Sequence, residues 1–213
     1  MTRLLETASK VIALSALAFA VPAFGEETAP DALVKAISED VIAAIRRDKD
    51  IQSGDPAKIA ALVETKILPH FDFAHTTRIA MGPNWRRATP EQQQRLTREF
   101  RELLVRTYST ALTTYRDQRI EVKPPRARSD DTQVTVRSEV KQAGAQPVTI
   151  DYEMEKTDAG WKIFDIRIAG ASLAATYRDT FAEAVRNQGI DGLIEQLSGK
   201  NRRSDARHAA AQT

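Results

Sequence analysis

Three side chains that could bind a metal or transfer a proton lie close together in the stretch LPHFDFAH, residues 68–75. They are His70, Asp72 and His75, residue types that occur in zinc sites and in acid–base pairs. In a helix, residues five positions apart point about 140° away from each other, and in a strand they point to opposite faces. A loop could still bring all three together, but the spacing does not favour a metal site, and we expect none.

The same stretch has a simpler structural interpretation. Asp72 precedes FAHTTRIAM, where its carboxylate can cap the first turn of a helix. We expect this short helix to run from Phe73 to Met81 and to end at Gly82, because glycine commonly terminates helices. Phe71 and Phe73 are then expected to be buried anchors of the turn.

The rest of the chain contains no common catalytic motif. It has no G-x-S-x-G, no glycine-rich phosphate loop, no H-E-x-x-H and no cysteine, so disulfides, thiolate metal sites and lipoprotein attachment are excluded. Its 31 Lys and Arg nearly balance 29 Asp and Glu, so no overall positive field favours nucleic acid. Asp165 and Arg167 have apolar neighbours, and we interpret them as a structural ion pair or an edge position rather than an acid–base pair.

The start of the chain has the pattern of a secretory signal peptide. An uncharged apolar run, Val11–Val21, follows a short charged segment and is broken by Pro22. Ala23 and Gly25 supply the small residues of a cleavage site. The run is shorter than the roughly 20 residues that span a bilayer, and a retained interfacial anchor is the alternative. The expected organisation is a signal peptide, one domain and a disordered tail, at residues 1–25, 26–201 and 202–213.

Hydrophobic spacing predicts four helices in the first half of the chain. The first begins at Pro30, and the second begins at Pro56 after a capping Asp55. The third is the short helix described above. The fourth has the strongest signal, because Thr89 and Gln92 form a capping box around its first turn. Its apolar stripe continues for about seven turns, to residue 115.

The hydrophobic period then changes from 3.6 to 2. Four alternating segments, RIEVKPP, TQVTVRSEVKQ, QPVTIDYEMEKT and GWKIFDIRIAG, are joined mostly by short links, which predicts an antiparallel meander with one apolar face. The phase slips near Ile163 and Phe164, which indicates a bulge or two buried faces. Two further helices follow, separated at Gly189.

This order of elements predicts an α+β domain: a four-stranded antiparallel sheet wrapped by about six helices. One long helix beside a curved sheet suggests an NTF2-like cone with an apolar cavity between sheet and helices. The apolar faces alone do not distinguish a closed core from a core that contains a ligand cavity.

Several long stretches match a known family. The first is ILPHFDFAHTTRIAMGPNWRRATPEQQQRLTREFRELLVRTY, and the others are VTVRSEV, QPVTIDYEMEKTDAGWKIFDIRIAGASLAATYRDTF and GIDGLIEQL. Through them, residues 33–201 resemble the MlaC family of periplasmic phospholipid-binding proteins, also called toluene-tolerance proteins. One departure is AGASLAATYRDTF, where the family often has a bulkier version containing valine.

The resemblance implies a monomeric phospholipid carrier in the Gram-negative periplasm, with no catalytic residue, metal or cofactor and no nucleic-acid partner. It would shuttle lipid between an outer-membrane lipoprotein–porin complex and an inner-membrane ABC transporter bearing MCE-domain rings, and so maintain outer-membrane lipid asymmetry. Two rival hypotheses remain. One is an NTF2-like periplasmic enzyme with Asp72 or Asp165 as a base, and the other is a transporter adaptor without a ligand.

A lipid carrier must offer its cargo a dry slot, because each buried CH₂ contributes about 0.8 kcal/mol. Met81 and Trp85 are expected at the mouth of the slot, where a half-hydrated Trp is favourable. Arg86 and Arg87 could meet a headgroup phosphate or serve as exposed solubilising charges. The other candidate lining residues, each equally compatible with plain core, are Phe100, Leu104, Tyr108, Leu112, Val136, Ile150, Tyr152, Phe164, Ile166, Leu173, Tyr177 and Phe181.

Overall fold

The structure is a computed structural model. It describes residues 28–109, 112, 118–125, 128 and 130–210, with the backbone alone at 205 and 207–210. The predicted signal peptide lies outside these residues. Within the described part of the chain, no helix has the length and apolar character to cross a membrane.

Six α-helices are present in the described residues, five before the sheet and one after it. They are α1 (Pro30–Arg47), α2 (Lys49–Ser53), α3 (Pro56–Lys66), α4 (Phe73–Met81), α5 (Pro90–Tyr108) and α6 (Arg178–Ala210). Short 3₁₀ helices lie at Leu68–His70, Gly82–Arg87 and Ala175–Tyr177.

The helices begin where the sequence places their caps. The Asp55 carboxylate accepts hydrogen bonds from the first turn of α3, and Asp72 accepts one from the His75 amide at 2.9 Å. Thr89 and Gln92 form the predicted capping box of α5, at 3.2 and 3.1 Å. Since each cap satisfies amides that the helix leaves unpaired, these local signals fix the helix starts.

One predicted helix end lies mostly outside the described residues, and another differs from the prediction. Helix α5 ends at Tyr108, and most of the predicted extension to residue 115 lies outside the described residues. Helix α6 passes a non-helical Gly189 and continues to Ala210, so residues 202–210 are helical where a disordered tail was expected. The tail lacks apolar periodicity, but its arginines and alanines are good helix formers, and extending an existing helix needs no new nucleus.

The sheet is antiparallel, and its strand order follows the sequence. Its strands are β1 (Arg119–Lys123), β2 (Gln133–Lys141), β3 (Val148–Thr157), β4 (Gly160–Ile168) and β5 (Ala171–Ser172). The first four strands form the predicted meander. The fifth has two residues, too few to show an alternating pattern, and so the sequence analysis did not predict it.

A bulge interrupts β4 at Phe164. Glu153 pairs with Asp165 and Met154 pairs with Ile163, which leaves Phe164 as the additional residue. This confirms the predicted change of phase. The Phe164 ring stacks on the ring of His75, with the ring centroids 4.1 Å apart.

Three apolar clusters form the core. One packs α1, α2 and α3 together, and another packs α1 against the sheet. The third, which we call the helical cluster, joins α4, α5 and α6. Its buried members are Ala80, Met81, Ala88, Leu96, Phe100, Leu104, Phe181, Ala184, Val185, Leu193, Ile194 and Leu197.

Candidate functional site

An apolar cavity of about 200 Å³ lies where the three clusters meet. Its wall comes from α3 and the following 3₁₀ helix, the start of α4, the end of α5, and β4 with the segment after it. The lining residues are Val63, Ile67, Leu68, Phe71, Phe73, Thr76, Leu104, Val105, Tyr108, Ser109, Leu112, Asp165, Ile166, Leu173 and Ala174.

Backbone contacts with the β4 bulge hold the start of α4 at the cavity. Phe71 forms a parallel bridge with Ile163, and the Asp72 amide donates to the Ile163 carbonyl at 2.9 Å. The Thr76 hydroxyl donates to the Phe164 carbonyl at 2.8 Å. The Phe71 and Phe73 rings, which the bridge and cap position, stack with centroids 5.4 Å apart. The FDF segment therefore forms an aromatic part of the wall.

Two buried polar side chains in the wall are engaged by the backbone. Asp165 is 5% exposed, and its Oδ1 accepts a hydrogen bond from the Ala174 amide at 3.2 Å. Thr76 is also 5% exposed and donates to backbone carbonyls. Burial raises the pKa of Tyr108, as does its hydrogen bond with Tyr177, so this phenol is neutral at neutral pH. The wall thus presents mainly apolar surface.

Five of the fourteen side chains proposed as lipid contacts lie on this wall. Helix α5 contributes Leu104 and Tyr108, and Leu112 lies four residues beyond the end of this helix. Strand β4 contributes Ile166, and the segment after β5 contributes Leu173. The end of α5 therefore forms one side of the cavity.

The structure places another group of candidates in or against the helical cluster. Met81, Phe100 and Phe181 are at most 2% exposed. The Phe100 ring makes edge-to-face contacts with Tyr177 and Phe181, with both centroid distances 5.0 Å. Trp85, expected with Met81 at the mouth, packs against the same cluster. In this conformation these side chains belong to closed core rather than to the cavity wall.

The sheet candidates other than Ile166 lie outside the cavity wall. Val136 is fully buried in the cluster between α1 and the sheet, and Tyr152 packs against that cluster. Burial raises the pKa of Tyr152, although hydrogen bonds with Ser138 and Ser38 partly oppose this increase. Ile150 is half-buried, and Phe164 contacts His75.

Asp72 and His75 of the histidine-rich stretch have separate structural partners. The His75 Nδ1 atom lies 2.7 Å from Glu155 Oε1, whereas Asp72 caps α4. Burial lowers the pKa of His70, and the charge of Lys162 lowers it further, which favours neutral imidazole. In the described residues, no group of three His, Cys, Asp or Glu side chains could hold a metal ion.

The charged side chains singled out by the sequence also have structural partners. Arg167 forms an ion pair with Glu153, at 3.1 Å, rather than with Asp165. Arg87 donates to the Asn84 side chain at 3.0 Å, within the 3₁₀ helix that also carries the exposed Arg86.

Sequence reasoning missed the α3 and FDF parts of the wall. Val63, Ile67 and Leu68 share the apolar spacing of any packed helix, so their spacing gives no signal of a cavity. Phe71 and Phe73 were interpreted as anchors of a turn. Two phenylalanines within three residues, directly after Pro69, are more aromatic side chains than a turn needs as anchors. That pair could have indicated an apolar site.

Comparison with known proteins identifies the family. A family model described as "MlaC protein" matches residues 35–199. The intermembrane phospholipid transport system binding protein MlaC of Haemophilus influenzae is 24% identical over 174 residues, covering 80% of this chain and 81% of that protein. Toluene tolerance protein ttg2D of Pseudomonas putida is 25% identical over 174 residues, covering 80% of each.

A solved structure has the same fold. It is the phospholipid-binding protein from Ralstonia solanacearum in complex with a phospholipid, with 43% sequence identity and a TM-score of 0.76. The match covers 84% of this chain and 99% of that one. Together with the family match over most of the chain, this likeness shows that the chain belongs to the MlaC family.

Proposed function

We propose that this protein binds a phospholipid and places an acyl chain of that lipid in the apolar cavity. The protein would then transport the lipid through the periplasm without chemical change. The observation that carries the proposal is the apolar cavity at the junction of the three core clusters. The phospholipid complex of the related Ralstonia solanacearum protein supports it, as does the signal-peptide pattern of residues 1–25.

The cavity must enlarge to accept this cargo. Pockets for drug-sized ligands have volumes of about 300–1,000 Å³, and a two-chain lipid is larger than such ligands. The 200 Å³ cavity would therefore hold part of one acyl chain. Further apolar surface has to become available when the lipid enters.

Apolar residues on the core face of β3 and β4 supply such surface. Ile166 lines the cavity, and Ile168 follows it on the same face and is 37% exposed. Ile150 lies opposite Ile168, and Val148, two residues before Ile150 on the same face of β3, is 42% exposed. We propose that acyl chain covers this row, which would bring Ile150 and Tyr152 into contact with lipid.

We also propose that the protein works as a monomer between two membrane complexes. These are an outer-membrane lipoprotein–porin complex and an inner-membrane ABC transporter with MCE domains, and the transfer would maintain outer-membrane lipid asymmetry. The family resemblance supports this assignment, as does the name of the Haemophilus influenzae relative, an intermembrane phospholipid transport system binding protein.

The hydrogen bonds of the two candidate bases favour a carrier over an enzyme. Asp72 caps α4, and Asp165 accepts from the Ala174 amide. Both carboxylates therefore hold backbone in place, whereas a general base must reach a substrate proton. The cavity likewise favours a carrier over an adaptor without a ligand.

Native mass spectrometry of the protein purified from the periplasm of Gram-negative cells tests the proposal. We expect a phospholipid adduct at close to one lipid per chain, identified by extraction and thin-layer chromatography. Ile166→Glu should lose the adduct, because a carboxylate in the wall would have to be desolvated. The matched control is Gln133→Glu on the exposed face of β2, which should retain it. Lipid-free wild-type protein would contradict the proposal.

A further inference from the structure

One arginine lies beside the cavity and is partly exposed to solvent. The Arg101 guanidinium is 5.9 Å from the centroid of the Phe73 ring, which lines the cavity. Arg101 lies one turn before the lining residue Leu104 on α5, so the two side chains are neighbours on the helix surface. Its side chain is 37% exposed, which leaves it accessible to a ligand whose apolar part occupies the cavity.

The present partner of this arginine is a carboxylate from the facing helix. Arg101 Nη2 lies 2.5 Å from Glu64 Oε2, and Glu64 follows the lining residue Val63 on α3. The ion pair thus joins the α3 and α5 walls at the edge of the cavity. Because Glu64 is 56% exposed and Arg101 37% exposed, water screens this ion pair, and breaking it costs little.

We propose that Arg101 binds the phosphate of the lipid headgroup, and that Glu64 occupies the position of that phosphate when the protein is unloaded. This inference rests on the proposed function. On loading, the guanidinium exchanges one oxyanion for another and keeps its contact with the Phe73 ring. Guanidinium suits this exchange, since its fork of N–H donors matches carboxylate and phosphate alike.

The geometry favours Arg101 over three other cations. Lys162 donates to the Pro69 carbonyl at 2.7 Å, and Lys66 pairs with Asp40 on α1 at 3.0 Å. Arg87 is bonded to Asn84 within its own 3₁₀ helix. Arg101 combines contact with a lining ring and a partner that can be displaced. An acyl chain against Phe73 would therefore place its headgroup near this guanidinium.

The test compares two lipids that differ in the phosphate. Delipidated protein is titrated with short-chain phosphatidylglycerol and with the matching diacylglycerol, below their critical micelle concentrations. For Arg101→Gln we expect phosphatidylglycerol to bind about tenfold more weakly, the loss typical of one charged hydrogen bond. Diacylglycerol binding should stay unchanged. Equal weakening of both lipids, or of neither, would overturn the proposal.

Glu64→Gln is an independent test, in which the affinity for phosphatidylglycerol should change in the opposite direction. Removing the competing carboxylate should strengthen phosphatidylglycerol binding severalfold and leave diacylglycerol binding as it was. Unchanged phosphatidylglycerol affinity would show that Glu64 does not compete with a phosphate. Arg98→Gln is the matched control, because Arg98 is exposed on α5 and forms an ion pair with neighbouring Glu99.

Inorganic phosphate separates a headgroup site from a site for free anion. We expect millimolar phosphate alone neither to stabilise the protein nor to displace phosphatidylglycerol, because the acyl chains supply most of the affinity. Displacement by phosphate would assign Arg101 to a free anion and overturn the proposal. If the wild-type protein binds neither lipid, the proposed function itself fails. If Arg101→Gln binds each lipid as tightly as wild type does, only the proposed role of the arginine is refuted.

Discussion

The helical cluster and the cavity wall are both built from aromatic and aliphatic side chains, yet they pack differently. In the helical cluster, Phe100 and Phe181 are at most 2% exposed and meet edge to face. On the cavity wall, Phe71 and Phe73 stack beside open volume and remain half-buried. Helix α5 contributes to both, since Phe100 belongs to the cluster and Tyr108 to the wall.

Different secondary structures around the two regions account for this difference. Three α-helices enclose the helical cluster, and their side chains can interdigitate along continuous ridges. The wall instead combines a helix end, a 3₁₀ turn and a bulged strand, fixed by the Asp72 and Thr76 hydrogen bonds to β4. Apolar surface therefore remains beside open volume where these unlike elements meet.

Truncating one phenylalanine in each region should give the largest difference in stability between the two regions. Phe100→Ala is expected to lower the free energy of unfolding by about 3–5 kcal/mol, because it opens a cavity in close-packed surroundings. Phe73→Ala should cost clearly less, since the ring already borders open volume, but it should reduce lipid retention. Urea unfolding and lipid analysis of both variants give the measurement. Equal stability losses would contradict the distinction.

The next largest effect concerns the buried carboxylate of the wall. Asp165→Ala would leave the buried Ala174 amide without its acceptor, which should cost about 1–3 kcal/mol in unfolding free energy. Asp165→Asn retains an oxygen acceptor and should cost less. Thermal and urea unfolding of the two variants measure the difference. If Asn is as damaging as Ala, the hydrogen bond does not account for the burial of this residue.

Filling the cavity should separate lipid binding from stability. Leu173→Trp replaces an aliphatic side chain with a larger indole ring that can extend into the open volume. We therefore expect the free energy of unfolding to change by less than about 1.5 kcal/mol. Co-purified phospholipid should fall severalfold. The matched change in the close-packed cluster, Leu193→Trp, should destabilise the protein more. Normal lipid content in Leu173→Trp would remove this residue from the binding site.

The smallest effect is expected on the outer face of the sheet, away from both regions. Hydrogen bonds from Lys123 and Lys141 lower the pKa of Glu121 from its ordinary 4.5 to about 2. Because this pKa is lower in the folded state, the stabilisation is present above pH 4.5 and is lost as pH falls toward 2.

Acid unfolding of wild type and Glu121→Gln checks this. Their stability difference should shrink between pH 5 and pH 2, and 1 M salt should reduce it at every pH. Lipid content should not change with this substitution, since Glu121 belongs to neither region. A stability difference that grows on acidification would contradict the assigned ion pairs.

The sequence allowed the local elements to be predicted better than the cavity. Asp55, Asp72 and Thr89 cap helices as expected, and the slip at Phe164 is a bulge, because such features depend on a few adjacent residues. The helical tail after residue 201 was missed because it follows helix propensity without an apolar pattern. Helix caps, bulges and helix propensity all depend on residues within one or two turns of each other along the chain.

The cavity could not be located in this way, because its wall depends on contacts between distant segments. Phe73 and Phe100 are both aromatic residues on helices, and their spacing does not say that one borders the cavity and the other is enclosed against α6. Leu104, Tyr108 and Phe100 share one apolar stripe of α5, yet Leu104 and Tyr108 also border the cavity whereas Phe100 does not. Side-chain type therefore predicted apolar surface, whereas only the packing shows where volume remains.

Photocrosslinking tests the central claim, that the cavity rather than the helical cluster receives acyl chain, most directly. Delipidated protein is loaded with a phospholipid that carries a diazirine in one acyl chain, irradiated, digested and mapped by mass spectrometry. The account predicts labels in residues 63–76, 104–109 and 165–174 and at Leu112, the parts of the chain that supply the cavity lining. Labels concentrated in residues 181–197 of the helical cluster, or no label above that of a lipid-free control, would contradict it.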